Sequence, residues 1–334
     1  MDTNTKPRCA VLGYGSWATA IVKTLTVNHH HVDWLVLNDE IRESLKMRSR
    51  NPKYLPWCYI DQEFMTPSND INAVVRDADI VILAMPSAFF KKFLEPLTES
   101  LADKIVVSAV KGIIPGDYLT IVEHMNRYYD IPMQNLAVVT GPSHAEEVGQ
   151  CQLSYLTVAA EEPRTAELVR DVLSNEYFRC SISNDVLGVE VAAIMKNVYA
   201  LAVGIAVGLR YGDNFLSVLI SCCACEMKRF IEKAIPAEER NINTAAYMGD
   251  LLVTCYSQLS RNRRLGTLIG KGCSVKSALN EMTMVAEGYY AAECIRRSSM
   301  RCNVDMPIAD MVWEVLYNKA SAREAMKALT QILK

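Results

Sequence analysis

Lys196 and Asn197 interrupt the stretch GVEVAAIMKNVYALAVGIAVGL, Gly188 to Leu209, which is otherwise apolar around almost the whole of a helix. An ammonium in such surroundings loses hydration and is biased toward shedding its proton. It therefore either snorkels to water along its own stem, paired to Glu190 or Asp250, or is tuned for proton transfer. Further along, SQLSRNRRLG presents Ser260, Arg261 and Asn262 in a short polar stretch, followed by Arg263 and Arg264. A guanidinium grips a phosphate or carboxylate through two parallel hydrogen bonds, and neighbouring amide and hydroxyl donors complete such a cradle. A site for a small anion and a solvated basic helix start both fit these residues. Asp250, in GDLLVTCYSQL, is placed either to face the lysine and the substrate or to cap the helix that it precedes.

A second constellation lies near the start of the chain. In VLGYGSWATAIVKTL, Gly13, Gly15 and Ala18 are spaced G-x-G-x-x-A, directly after a strand-like run and at the start of a helical one. Gly13 allows a tight turn, Gly15 lets a pyrophosphate approach the backbone, and Ala18 lets helix and strand pack closely. The helix N-terminus adds unpaired N–H groups and a positive dipole end. After the next strand, WLVLNDEIRE offers Leu37, Asn38 and Asp39 where the adenosine ribose is read. Asp39 favours the 2′-hydroxyl of NAD, whereas Arg42 or Arg48 would reach the 2′-phosphate of NADP, so the preference stays open.

These sites need elements to hold them. From residue 8 to about 183, short β-rich runs (CAVLGYG, VDWLVL, DIVILAMP, KIVVSAV, LAVVTGP, LSYLTVAA, FRCSIS) alternate with helical patterns, which predicts a parallel sheet covered on both faces. After Asn184 the strand signals stop and helical patterns continue, broken at RYGDN, IPAEERNINT, GKGC and RCNVDMP. The expected fold class is α/β plus all-α: a Rossmann-like doubly wound domain over 1–184, then a helical substrate-binding and catalytic domain over 185–334. Lys111 in SAVKGI and the Gly141-Pro142-Ser143 turn follow strands, where an open α/β sheet binds its ligands.

Composition excludes several alternatives. With 334 residues and a net charge of -3, the chain has core enough for one large or two ordinary domains and no basic footprint for nucleic acid. The start, MDTNTKPRCAVLGYG, has a polar leader and none of the features of a secretory signal. The uncharged apolar run Val198 to Leu209 is shorter than the roughly 18 residues of a membrane span. The 11 cysteines lack paired C-x-x-C spacing and read as reduced, mostly core residues, and His29, His30 and His31 read as a solvated turn rather than a metal site.

In joint order and spacing, GYGSWATA, SAVKGI, GPSHAEEV, GVEVAAIMKNVYALAVGI, GDN, GDLLVTCYSQLSRNRRLG, VAEGYYAA and MPIADMVWEVLY run through nearly the whole chain. Together they resemble the NAD(P)-dependent glycerol-3-phosphate dehydrogenases of the soluble bacterial type. That resemblance implies reversible reduction of dihydroxyacetone phosphate to sn-glycerol 3-phosphate with NAD or NADP, supply of glycerol phosphate for phospholipid synthesis, a cytoplasmic homodimer, and no metal. It gives Lys196 the role of proton donor and acceptor. Lys111, Gly141, Ser143, Asp250, Ser260, Arg261 and Asn262 match positions around the substrate, with Asn197 holding the geometry. Ser16, Trp17, Ala145, Val285 and Glu287 match cofactor positions, beside Gly13, Gly15, Ala18 and Asn38, with Lys111 and Arg261 also close to the cofactor. The sequence departs from the family pattern at Leu37, often arginine, at Val207, often aspartate, and at His144, often phenylalanine.

Two other readings compete. A related hydroxyacid dehydrogenase would share the nucleotide domain and the lysine-asparagine pair but take a carboxylated substrate. A dinucleotide sensor without catalysis would have no use for Lys196, Asp250 and Arg261 together.

Overall fold

A computed structural model describes residues 6–237 and 239–333; the polar leader at 1–5 lies outside them. The described residues form two compact units, one of residues 6–110 and 119–186, the other of 111–118 and 187–333.

The first unit is built on a sheet of order β3-β2-β1-β4-β5-β6-β7-β8. Its strands are β1 (Cys9–Leu12), β2 (Val32–Leu35), β3 (Met65–Ser68), β4 (Ile80–Leu83), β5 (Ile105–Ser108), β6 (Leu136–Thr140), β7 (Ser154–Ala160) and β8 (Phe178–Ser183). Its helices are α1 (Ser16–Val27), α2 (Asp39–Arg48), α3 (Ile71–Arg76), α4 (Phe90–Leu94), α5 (Ile121–Tyr129), α6 (Ala145–Gly149) and α7 (Pro163–Leu173). The central strands β1 and β4 are buried at every position, which is why CAVL and IVIL read as continuous apolar runs rather than alternating ones. Local signals set the helix starts: Asp70 caps α3, Thr120 and Glu123 form a capping box on α5, and Pro163 opens α7.

The sheet departs from the sequence expectation in two ways. β3 is an eighth strand that the sequence pattern does not announce, because MTPS is short and polar and contains Pro67; it pairs only with β2, and an edge is where a strand tolerates proline. β7 runs antiparallel to β6, whereas all the other pairs are parallel. The 141–153 connection holds only the five-residue α6, and the chain re-enters the sheet from the end at which β6 left it.

The second unit is helical: α8 (Val186–Gly208), α9 (Asp213–Ala234), α10 (Asp250–Tyr256), α11 (Arg261–Gly270), α12 (Val275–Glu281), α13 (Glu287–Cys302), α14 (Pro307–Tyr317) and α15 (Ala322–Thr330). The strand run KIVVSAV predicts Lys111 in the sheet domain, but residues 111–118 pack with these helices instead. α8 is long and apolar enough to cross a membrane by length and composition, and 89% of its most apolar window is buried inside the protein. Glycines decide how closely its neighbour approaches. A Cβ on Gly204 would meet the Arg263 carbonyl oxygen at 2.1 Å, and one on Gly266 would meet that of Leu201 at 2.2 Å. Gly208 and Gly270 make equally close approaches, so α8 and α11 touch backbone to backbone. Glu226 of α9, itself buried, accepts from the Ile308 and Ala309 N–H groups (2.9 and 3.0 Å) and so caps α14.

All 11 cysteines are free, five of them buried. The three histidines do lie in a turn, but it is only partly solvated: His30 is buried, while the His31 Nε2 lies 3.1 Å from the Thr66 hydroxyl.

Candidate active site

Lys196 stands midway along α8 and is buried, as the apolar faces of the helix require. Its Nζ donates to Asp250 Oδ1. Asp250 Oδ2 accepts from Lys111 Nζ at 3.4 Å. Asp250 is only 1% exposed and follows a π-helical turn, Ala245–Gly249, that runs straight into α10. Wide turns of this kind recur at functional sites because they re-aim the next side chain. The capping alternative for Asp250 is not realised, since Gly249 is the N-cap and the carboxylate is engaged by the two lysines.

The electrostatics follow from the geometry. Burial lowers the Lys196 pKa to about 7, with Asp250 opposing and the Lys111 charge assisting that shift. Burial works to raise the Asp250 carboxyl, but the two ammonium groups outweigh it and hold the group below the ordinary carboxylate range. The result is a permanent anion beside an amine that changes charge near neutrality, which suits reversible proton transfer.

A chain of amides fixes this cluster. Asn197 Nδ2 donates to the Lys111 carbonyl (2.8 Å) and, within α8, to that of Ala193 (3.2 Å). Asn262 Nδ2 donates to Asn197 Oδ1 (2.8 Å), and Asn262 Oδ1 accepts from the Gly288 N–H (2.9 Å). Both Asn197 N–H bonds are thereby used, so this residue positions Lys111 rather than offering donors to a substrate. Ser260 caps α11 through the Arg263 N–H (3.3 Å). Arg261, the first residue of α11, is exposed. Glu287 opens α13 next to Gly288, with Val285 two residues before it. Lys111, Lys196, Asn197, Asp250 and Asn262 are thus linked by hydrogen bonds, and Ser260 and Arg261 adjoin Asn262 in the chain. The sequence reading missed Gly204, Gly266 and Gly288, although the spacings GIAVG and GTLIG are visible as close-packing signals. A Cβ on Gly288 would meet the Asn197 carbonyl oxygen at 2.5 Å.

In the sheet unit, the other expected residues gather after the ends of parallel strands. Gly13, with φ +123°, leaves no room for a side chain: a Cβ would sit 2.4 Å from the Ala84 carbonyl oxygen. Gly15, the N-cap of α1, has nothing within 4 Å of a built Cβ, so the space before the α1 N–H groups is open for a pyrophosphate. Ser16 and Trp17 form the first turn, the Trp17 indole donates to the Ala109 carbonyl (3.1 Å), and Ala18 is fully buried. Asn38 caps α2 through the Ile41 N–H (3.0 Å). Arg42 is held between Asp39 (2.5 Å) and the Val36 carbonyl (3.0 Å), so both an acid and a base stand at the end of β2. Gly141 has φ +136°, and a Cβ there would lie 2.9 Å from Leu156 Cα. The Ser143 hydroxyl donates to the Gly141 carbonyl (2.8 Å), and Ala145 opens α6.

A dinucleotide-binding sheet unit joined in one chain to a helical unit with a buried lysine of lowered pKa describes a nicotinamide-dependent oxidoreductase. Comparison with known proteins narrows the class. Residues 8–166 match the family model for the NAD-dependent glycerol-3-phosphate dehydrogenase N-terminus and residues 185–327 that for its C-terminus. The glycerol-3-phosphate dehydrogenase [NAD(P)+] of Agathobacter rectalis is 37% identical over 96% of this chain and 95% of its own, and that of Leuconostoc citreum is 34% identical over 96% of each. The crystal structure of glycerol-3-phosphate dehydrogenase from Coxiella burnetii superposes with a TM-score of 0.89 at 26% identity, covering 97% of this chain and 99% of that one. The chain belongs to the NAD-dependent glycerol-3-phosphate dehydrogenase family.

Proposed function

We infer that the chain carries out the reaction of its family, the reversible reduction of dihydroxyacetone phosphate to sn-glycerol 3-phosphate with NAD(P)H. The observation that carries the residue assignment is the Lys196–Asp250–Lys111 cluster, in which Lys196 and Asp250 are buried and Lys111 is partly exposed. The nicotinamide, when bound, supplies a hydride to the ketone carbon or takes one from the alcohol. Gly13, Gly15, Ser16, Trp17, Ala18 and Asn38 would hold the dinucleotide at the start of α1 and the end of β2, with Ala145, Val285 and Glu287 as further contacts.

Reduction leaves negative charge on the former carbonyl oxygen, and the Lys196 ammonium both stabilises that charge and donates the proton. In oxidation the neutral Lys196 amine takes the hydroxyl proton. Asp250 keeps the amine in place and sets its proton affinity, while Lys111 adds positive charge beside the same carboxylate. Arg261, with Ser260 and Asn262, grips the phosphate, and Gly141 and Ser143 border the substrate. Exposure of Arg261 suits this role, because the guanidinium stays available to an incoming anion. The enzyme acts as a cytoplasmic homodimer, and its product enters phospholipid synthesis.

The test is loss of nicotinamide absorbance with dihydroxyacetone phosphate and, side by side, a carboxylated ketoacid, each with NADH and NADPH. Oxidation only with the phosphate ester supports the assignment. Turnover only of the ketoacid would move the chain to a hydroxyacid dehydrogenase, and cofactor binding without turnover of either would make it a sensor. The ratio of the NADH and NADPH rates decides between the Asp39 and Arg42 readings.

A further inference from the structure

The helical unit contains a cavity of about 850 Å³, within the size range of ordinary small-molecule sites. It opens among α11, α12, α13, α14 and α15. Leu209 and Ile269 in its wall lie at or just past the C-terminal ends of α8 and α11. Lys196 is roughly 20 Å back along α8 at the rise of a helix, so the cavity is separate from the catalytic cluster.

Its charge is one-sided. Lys271, Lys276, Lys319 and Arg323 line it, and among the described residues no carboxylate does. None of the four is in an ion pair among the described residues, and all four are exposed. In the same unit Arg297 is paired with Glu293 (2.7 Å) and Arg296 with Asp310 (2.7 Å), which shows the compensation that these four lack. One wall is aromatic: Tyr289 and Tyr317 lie against each other with ring centroids 5.0 Å apart, and the Tyr317 hydroxyl donates to the Tyr289 carbonyl, which fixes the rings. A concave surface with several uncompensated cations and a rigid apolar wall favours a ligand that carries clustered negative charge on an organic body.

We propose that this cavity is a second ligand site of the protein, for a small organic polyanion bearing two or more phosphate or carboxylate groups on an apolar or aromatic frame. It rests on the cavity alone and not on the reading of the catalytic cluster.

Cys273, which also lines the cavity and is partly exposed, gives a local readout, and the exposed Cys225 is an internal control. The full chain is treated with N-ethylmaleimide alone, with millimolar ATP as the probe polyanion, or with adenosine as its uncharged counterpart, and the modified peptides are quantified by mass spectrometry. ATP is expected to protect Cys273 and not Cys225, adenosine to protect neither. The Lys276→Glu/Lys319→Glu variant should weaken that protection about tenfold, as loss of directly paired charge does, while retaining turnover. Should that variant fold poorly, the single change Lys319→Gln replaces it, with a smaller loss expected. No protection by ATP, equal protection by adenosine, or full protection in the charge-altered variants would overturn the proposal.

Discussion

At the scale of single residues, the decisive feature is an amine whose proton affinity is set by competing neighbours. Burial of Lys196 lowers its pKa, and Asp250 limits the fall. Lys196→Ala is expected to cut turnover by about a thousandfold, the range for loss of a positioned acid-base group, while leaving dinucleotide affinity measurable by fluorescence titration. Asp250→Asn removes the counter-charge from two ammonium groups, which should destabilise the fold by about 3 kcal/mol in chemical denaturation. It should also move the pKa seen in the pH profile of any residual activity downward, because the carboxylate is what raises it. An unchanged profile would mean that the carboxylate does not govern Lys196. Much of this is legible in the sequence: a charged residue in a helix apolar on all sides has few structural roles, and Asp250 and Glu190 are the two acids that the sequence offers as its partner. The Asn197 and Asn262 pairing was not legible, because an amide's partners depend on which helices meet.

At the scale of elements, the close contact of α8 and α11 holds the amide chain together. The glycines at 204, 208, 266 and 270 let the backbones touch, which brings Asn262 to Asn197. Gly266→Ala would drive a methyl group into the Leu201 carbonyl and push the helices apart. The expected cost is about 1–3 kcal/mol, measured as a fall in Tm, with a lowered kcat and little change in dinucleotide affinity. A Tm equal to that of the parent would show that the contact gives way easily. The elements missed from sequence were those with the weakest apolar pattern. Thr66, Pro67 and Ser68 hide β3, and DEIRESLKMR is too polar a run to declare α2, whose start depends on the Asn38 cap. The antiparallel turn of β7 was missed because strand composition carries no direction.

At the scale of the whole molecule, the proposed function puts the glycine turn that would hold the pyrophosphate in one compact unit and the proton-transferring lysine in the other. Loss of each function is accordingly separable. Gly15 has open space before it and an ordinary negative φ, so Gly15→Val is expected to weaken dinucleotide binding strongly while leaving Tm close to that of the parent. A large drop in Tm with intact binding would contradict that assignment. The alternation of strands and helices up to Asn184, and its end there, made the two architectures readable. The excursion of 111–118 into the helical unit was not, since SAVKGI follows a strand and its contacts lie far away in sequence.

The central claim is that Lys196 gives and takes the proton of the reaction. The measurement that tests it most directly is the pH dependence of kcat/KM in both directions on the unmodified enzyme. Reduction of dihydroxyacetone phosphate requires the ammonium and should fall as pH rises through about 7. Oxidation of glycerol 3-phosphate requires the free amine and should fall as pH drops through the same range. Profiles that bend in the same sense, or that stay flat from mildly acidic to mildly alkaline pH, would contradict the role given to Lys196.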